Sequence, residues 1–257
     1  MTDSQTPTLQ LRGVSKVFGS VQALTEVDFE VRAGEVMALV GDNGAGKSTL
    51  IKSVAGIHPF DGGDVYFDGT LVHIRAPRDA AALGIEVVYQ DLALCDNLDV
   101  VQNMYLGREL HGALRRLREP EMERHTAETL DALSVTTINS TRQKVATLSG
   151  GQRQSVAVAR VVMWNSRVVI LDEPTAALGV AQTAQVLDLV KRLAEQGIAV
   201  VLISHNLHDV FAVADRITVL RLGRNAGVFE RADTTQQQIV HAITVGITAV
   251  ETPAVRA

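Results

Sequence analysis

A chain of 257 residues that is 46% apolar can bury a core without covalent staples and is too apolar to be disordered. A formal charge of -5 gives no support for non-specific nucleic-acid binding, and a single cysteine, Cys95, excludes an internal disulfide framework and a cysteine-rich zinc site. Aromatics are only 4%, so aliphatic side chains must fill the interior.

The opening MTDSQTPTLQ is polar and lacks the basic and apolar regions of a secretion signal. No later stretch is apolar over the ~20 residues that a membrane span needs. A reducing, cytosolic setting is the expectation. Val27, Phe29 and Val31 then alternate with Asp28, Glu30 and Arg32, the period-2 pattern of a half-buried strand. Residues 35–40 read as a short buried strand. Gly41-Asp42-Asn43-Gly44-Ala45-Gly46-Lys47-Ser48-Thr49 follows and matches G-x-x-x-x-G-K-[ST], the loop that cradles nucleotide phosphates. Its glycines let the backbone wrap closely around oxygens, and its N–H groups point at negative charge. Lys47 can reach the β- and γ-phosphates, and the Ser48 hydroxyl can ligate Mg2+. Residues 49–55 read as the opening of a helix. Val65-Tyr66-Phe67 before Asp68-Gly69 reads as a strand entering a turn. Residues 85–89 read as a strand ending at Gln90, at the edge where ligands collect in open α/β sheets.

From 91 to about 164 the pattern is mostly helical. Arg115, Arg116, Arg118, Glu119, Glu121 and Glu123 read as a solvated helical face with i,i+4 pairing. Leu148-Ser149-Gly150-Gly151-Gln152 precedes a helical run, with Ser149 as a natural N-cap and two glycines that leave backbone N–H groups accessible. Alone, it is an ordinary capped helix start. Residues 167–171 form an apolar strand ending in Asp172 and Glu173. Asp172 suits Mg2+ coordination and Glu173 suits polarising an attacking water. Alone, they are solvated acids at a strand end. A helical pattern covers 181–196. Residues 198–203 form a strand that delivers Ser204 and His205 to the same edge, and 217–220 form a further strand. Strands alternating with helices argue for a parallel-sheet α/β core. Residues after about 245 read as a loose tail.

The order and spacing of these motifs resemble the nucleotide-binding subunit of ABC transporters over residues 9–229. The specific element is LSGGQ after a phosphate-binding loop and before an apolar strand ending in Asp-Glu. The resemblance implies an α/β, P-loop NTPase (RecA-like) core with an N-terminal antiparallel β-subdomain and an inserted α-helical subdomain. One ATPase domain would cover 1–245, with core and β-subdomain at 1–90 and 165–230, the helical signature subdomain at 91–164, and a loose tail at 246–257. Gly41, Asp42, Asn43, Gly44, Ala45, Gly46, Lys47, Ser48 and Thr49 would bind ATP. Ser48, Gln90 and Asp172 would hold Mg2+. Glu173, His205, Lys47 and Gln90 would be catalytic. Ser149, Gly150, Gly151 and Gln152 would face the ATP of a partner subunit. Phe18 sits where the family places an aromatic that stacks on adenine; the alternative is a plain core residue.

In that family two subunits pair head to tail around two ATP molecules, so one set of motifs implies a second copy of the chain. Ala176-Ala177-Leu178-Gly179 departs from the pattern, because Gly179 stands where many relatives carry an aspartate that contacts the partner. The segment from Gln90 through Asp99 and Val100, with Asn103 and Leu106-Gly107-Arg108-Glu109, resembles the ribose, xylose and fructose group of bacterial sugar importers, in its single-half form. The resemblance implies an ATP-hydrolysing subunit on the inner face of a cell membrane. Its expected partners are permease subunits and a periplasmic or extracellular solute-binding protein, with no nucleic acid. Leu92, Leu94, Leu98, Val100 and Met104 would either meet the permease or fill the subdomain core. Cys95 reads as inert. The alternatives are an importer ATPase for another solute, such as an amino acid, and a soluble ABC-type ATPase acting on ribosomes or DNA. The latter is disfavoured by the acidic balance and the lack of a heptad run.

Overall fold

The computed structural model describes residues 6–246, so the expected tail falls almost wholly outside the described residues. The strands are β1 (Leu9–Phe18), β2 (Val21–Val31), β3 (Val36–Val40), β4 (Gly62–Phe67), β5 (Thr70–Val72), β6 (Ile85–Val88), β7 (Val168–Asp172), β8 (Ala199–Ile203), β9 (Arg216–Arg221) and β10 (Arg224–Glu230). The helices are α1 (Lys47–Val54), α2 (Pro77–Ala82), α3 (Val100–Tyr105), α4 (Glu119–Ala132), α5 (Gly150–Val162), α6 (Val180–Glu195), α7 (Leu207–Val213) and α8 (Gln236–Thr244).

Two sheets result. The first is antiparallel, in the order β2-β1-β4-β5. The alternation read in β2 is met by β1: Val31 pairs with Leu9, Phe29 with Leu11 and, past a bulge in β1, Val27 with Val14, all buried. Such cross-strand apolar pairs fix register, since a one-residue slip would turn the whole set to solvent. Asp68 (φ 46) and Gly69 (φ 74) make the two-residue turn between β4 and β5.

The second sheet has the order β10-β9-β3-β8-β7-β6 and is parallel except for β10 at its edge. Its inner strands are buried on both faces, which is why they read as continuous apolar runs rather than alternating ones. Met37, Leu39, Ile170, Val201 and Ile203 pack with Leu50, Ile51 and Val54 of α1 and with the first sheet. Val36, Val169, Leu171, Val200 and Leu202 face α3 to α6. Ala38, Val40, Ile217 and Val219 take α7 and α8, through Val210, Ile239 and Ala242. Replacing a central residue should be costly. Ile170→Ala leaves a cavity at a fully buried site and is expected to lose about 2–5 kcal/mol, read from the denaturant midpoint.

The segment 91–164 carries α3, α4 and α5, joined by more irregular chain than expected. Residues 91–99 are not helical, because Leu92 (φ 56) and Ala93 (φ 46) both lie in the left-handed region. Val100 and Met104 are buried in the helical core, while Leu92 and Leu94 pack partly exposed against it. The charge run is also rearranged. Arg115 and Arg116 precede α4, Arg118 pairs with Glu121 three residues on, and Arg124 pairs with Glu128. Glu119 and Glu123 turn instead to Arg142, at 3.2 and 2.9 Å.

Candidate active site

The phosphate-loop match folds as a tight turn between β3 and α1. Gly41 (φ 153) sits where any Cβ would collide with the Leu220 carbonyl of β9. Gly46 (φ 102) sits where a Cβ would stand 2.8 Å from Leu24 Cδ2 and 3.0 Å from the Ala23 carbonyl. Both positions therefore require glycine. Helix α1 opens at Lys47, two residues earlier than the sequence pattern suggests, with no side-chain cap on its N-terminus. Its first-turn N–H groups are left for a ligand. Lys47 Nζ arches back to donate to the Gly41 and Asp42 carbonyls at 2.7 and 3.0 Å. Burial holds the Lys47 ammonium below its usual pKa, against the pull of Glu173, Asp172 and Asp42.

The parallel sheet brings the rest to this loop. Because β3, β6, β7 and β8 run the same way, their C-terminal ends share one edge. There Gln90 follows β6, Asp172 ends β7, and Ser204 and His205 follow β8. All of them line one cleft of about 610 Å³ with Gly41, Asp42, Asn43, Lys47, Ser48 and Glu173. Burial and the neighbouring Glu173 raise the Asp172 carboxyl above its ordinary value, while Lys47 and Lys52 oppose the rise. Glu173 has φ 52, and its N–H donates to the Ile203 carbonyl at 3.0 Å, which anchors the turn across to β8. Its Oε2 lies 2.7 Å from His205 Nδ1 and accepts from the His205 backbone N–H at 3.4 Å. The His205 side chain is 74% exposed, whereas Glu173 is largely buried at 17%.

Asn43, Lys47 and Ser48 also line an adjoining cleft of about 440 Å³, together with Gly44, Ala45, Gly46 and Thr49. Its far wall is Val21, Gln22 and Ala23 of β2 and the turn at Leu222 and Gly223. The motifs in the sequence do not reveal that wall. For the turn the signal is slight, a lone glycine after Leu222; for β2 there is none. Phe18 lines neither cleft, but it pairs across the hairpin with Val21, which does. It is 41% exposed and packs edge-on against His58, so it is not a core residue.

The LSGGQ segment is not part of either cleft. Ser149 caps α5: its hydroxyl accepts from the Gln152 N–H at 3.3 Å, and Gln152 Oε1 accepts from the Ser149 N–H at 2.8 Å. Its two glycines allow close packing against the start of α6. A Cβ on Gly150 would stand 2.9 Å from Leu178 Cδ2, and one on Gly151 2.9 Å from Gln182 Cγ. Gly179, the departure noted above, caps α6 with ordinary φ, and its N–H donates to Gln182 Oε1 at 2.8 Å.

The turn after Glu173 is tied down by Thr175, whose hydroxyl donates to Asp209 Oδ2 at 2.7 Å in a buried site on α7. Asp209→Ala would leave that hydroxyl without its acceptor. The expected loss is about 1–3 kcal/mol, visible as a lowered thermal midpoint.

A phosphate loop, two carboxylates and an exposed histidine at the carboxyl edge of a parallel sheet define a P-loop nucleotide hydrolase. The comparisons specify it further. The family described as ABC transporter matches residues 24–176. The fructose import ATP-binding protein FrcA of Rhizobium meliloti is 44% identical over 94% of this chain and 95% of its own length. The xylose/arabinose import ATP-binding protein XylG of Sulfolobus acidocaldarius is 44% identical over 92% and 93%. A solved dimeric, post-hydrolysis ATP-binding cassette bound to ADP and Pi superposes with a TM-score of 0.72 at 25% identity, over 87% of this chain and 98% of that one. The chain belongs to the ABC transporter family and is one of its ATPases.

Proposed function

We propose that this chain powers the import of a monosaccharide through a membrane permease, by ATP-driven closure of a dimer. One observation carries the mechanism. Lys47, Ser48, Gln90, Asp172, Glu173 and His205 meet in one cleft, while Ser149 and its neighbours lie outside it. A γ-phosphate in that cleft has its hydrolytic machinery in this chain and an exposed face that a second copy's Ser149 to Gln152 would cover. ATP then joins two copies and hydrolysis parts them. The monosaccharide rests on the names of the relatives, which are fructose and xylose/arabinose import proteins.

In this reading the loop 41–49 cradles the phosphates, and Lys47 leaves the Gly41 and Asp42 carbonyls for the β- and γ-phosphates. Glu173 orients the attacking water and draws its proton, with His205 reaching the departing phosphate. Ser48, Gln90 and Asp172 offer only oxygen donors from protein side chains, few in number and beside a phosphate site. That fits Mg2+, which keeps waters and phosphate oxygens as its remaining ligands. Mg2+ would neutralise charge building on the phosphate oxygens. Val21 lines the adjoining cleft, and Phe18, its partner across the hairpin, would border the adenine from beside it. Among the described residues no helix is long and apolar enough to cross a membrane, so membrane association on the cytoplasmic face would come through the permease.

The test is isolation of the tagged chain from native membranes in mild detergent. A multi-span permease should accompany it, and its ATP turnover should rise with a sugar-loaded solute-binding protein. Ribosomal or DNA-bound partners without a permease would overturn the importer reading.

A further inference from the structure

The segment between Gln90 and α3 is not a passive connection. Leu92 and Ala93 are consecutive non-glycine residues in the left-handed region, a conformation that costs free energy unless its surroundings hold it. The holding group is on α5. Arg160 Nη1 donates to the Ala93 carbonyl at 2.8 Å and Nη2 to the Leu92 carbonyl at 3.1 Å. Two helical turns earlier on the same face of α5 stands Arg153. Its Nη1 pairs with Asp96 at 2.7 Å, and its other nitrogens donate to the Leu148 and Ala146 carbonyls that lead into Ser149. Between these contacts the fully buried Asn103 side chain accepts from the Cys95 N–H and donates to the Cys95 carbonyl. The chain from 92 to 96 is thus fastened at both ends to the helix that Ser149 caps.

We infer that Arg160 and Arg153 are positioning residues. They hold the strained turn after Gln90 against α5, so that Gln90 stays at the cleft and moves only together with the Ser149 end of that helix. The inference rests on the proposed role of Gln90 in hydrolysis, and its mechanical part stands independently of that role. A guanidinium suits this clamp because one planar group donates to two successive carbonyls, which a lysine ammonium cannot match in geometry.

The experiment measures the full chain and Arg160→Gln in two ways. Hydrogen exchange of backbone amides 92–98 reports the clamp. Turnover, set against equilibrium nucleotide affinity, reports its consequence. Exchange at 92–98 should quicken severalfold while β3, β7 and β8 keep their protection. Turnover should fall about tenfold or more with nucleotide affinity nearly unchanged. Ala93→Gly added to Arg160→Gln should recover part of the turnover, because glycine adopts the left-handed turn without the clamp. A merely structural loss would not respond to glycine at that place. Unchanged exchange in Arg160→Gln overturns the inference, as does an unrecovered double variant. Gln90→Ala separates the two layers. If it lowers turnover and Arg160→Gln does not, the clamp inference fails and the role of Gln90 survives. If Gln90→Ala itself turns over normally, the role of Gln90 in hydrolysis fails, and the clamp is judged by exchange at 92–98 alone. Should Arg160→Gln not fold, Arg153→Gln releases the more exposed fastening, and unchanged exchange and turnover there would equally overturn it.

Discussion

Glu173→Gln is expected to lower ATP turnover by about two to four orders of magnitude while ATP still binds. The substitution keeps the shape of the side chain, and an amide oxygen can still accept from the His205 N–H. What it removes is the negative charge that would polarise water. Glu173 is well placed for that work: its backbone is anchored to Ile203 and its carboxylate held against His205, so little reorganisation remains at the moment of reaction. Removing a carboxylate next to Asp172 also relieves repulsion of the phosphates, so the variant should accumulate as an ATP-bound dimer on size exclusion. His205→Ala should lower turnover less, and the double variant should not show the product of the two effects, since the groups are in direct contact. Phosphate release and equilibrium nucleotide binding measure both quantities. Unchanged turnover in Glu173→Gln would remove this residue from catalysis.

Lys47→Ala is expected to weaken ATP binding by about a hundredfold, the loss that goes with one or two hydrogen bonds to a charged group. Lys47 bonds to the Gly41 and Asp42 carbonyls here, so it is already aimed across the loop that would carry the phosphates. Burial has lowered its pKa, and the phosphate charge would favour its ammonium form. The clearest readout is thermal: at about ten times the native Kd, ATP should raise the unfolding midpoint of the native chain, and most of that rise should be lost in Lys47→Ala. The nucleotide-free variant should unfold near the native midpoint, because the two carbonyls it frees border an open cleft. An undiminished rise would contradict the role given to Lys47.

Several elements are legible without coordinates. The apolar runs of β3, β7 and β8 announce strands buried on both faces, and the alternation in β2 announces a strand with one wet face. Other elements are not. Leu92, Leu94 and Leu98 suggest a helix, yet the segment is a left-handed turn, because the carbonyls it exposes are satisfied by Arg160 from α5. Helix α8 carries a capping box from Thr235 to Gln238 and an apolar face at Ile239 and Ala242. Its short polar opening hides that face in a region that reads as leading to a tail.

The sequence by itself determined the chemical parts, because their constraints are local. A phosphate loop needs glycines at fixed spacing beside a lysine and a hydroxyl, and the start of α5 is marked by its cap, Ser149. Carboxylates that end an apolar strand reveal themselves by where the apolar run stops. Only the tertiary structure decided the geometry by which those parts meet. The common direction of β3, β6, β7 and β8 gathers Lys47, Gln90, Asp172, Glu173 and His205 at one edge, although more than 150 residues separate the first from the last. The same packing keeps Ser149 away from that edge, and it closes the second cleft with Val21 and Leu222. Those juxtapositions come from sheet order and helix packing, contacts between distant segments that no local pattern records.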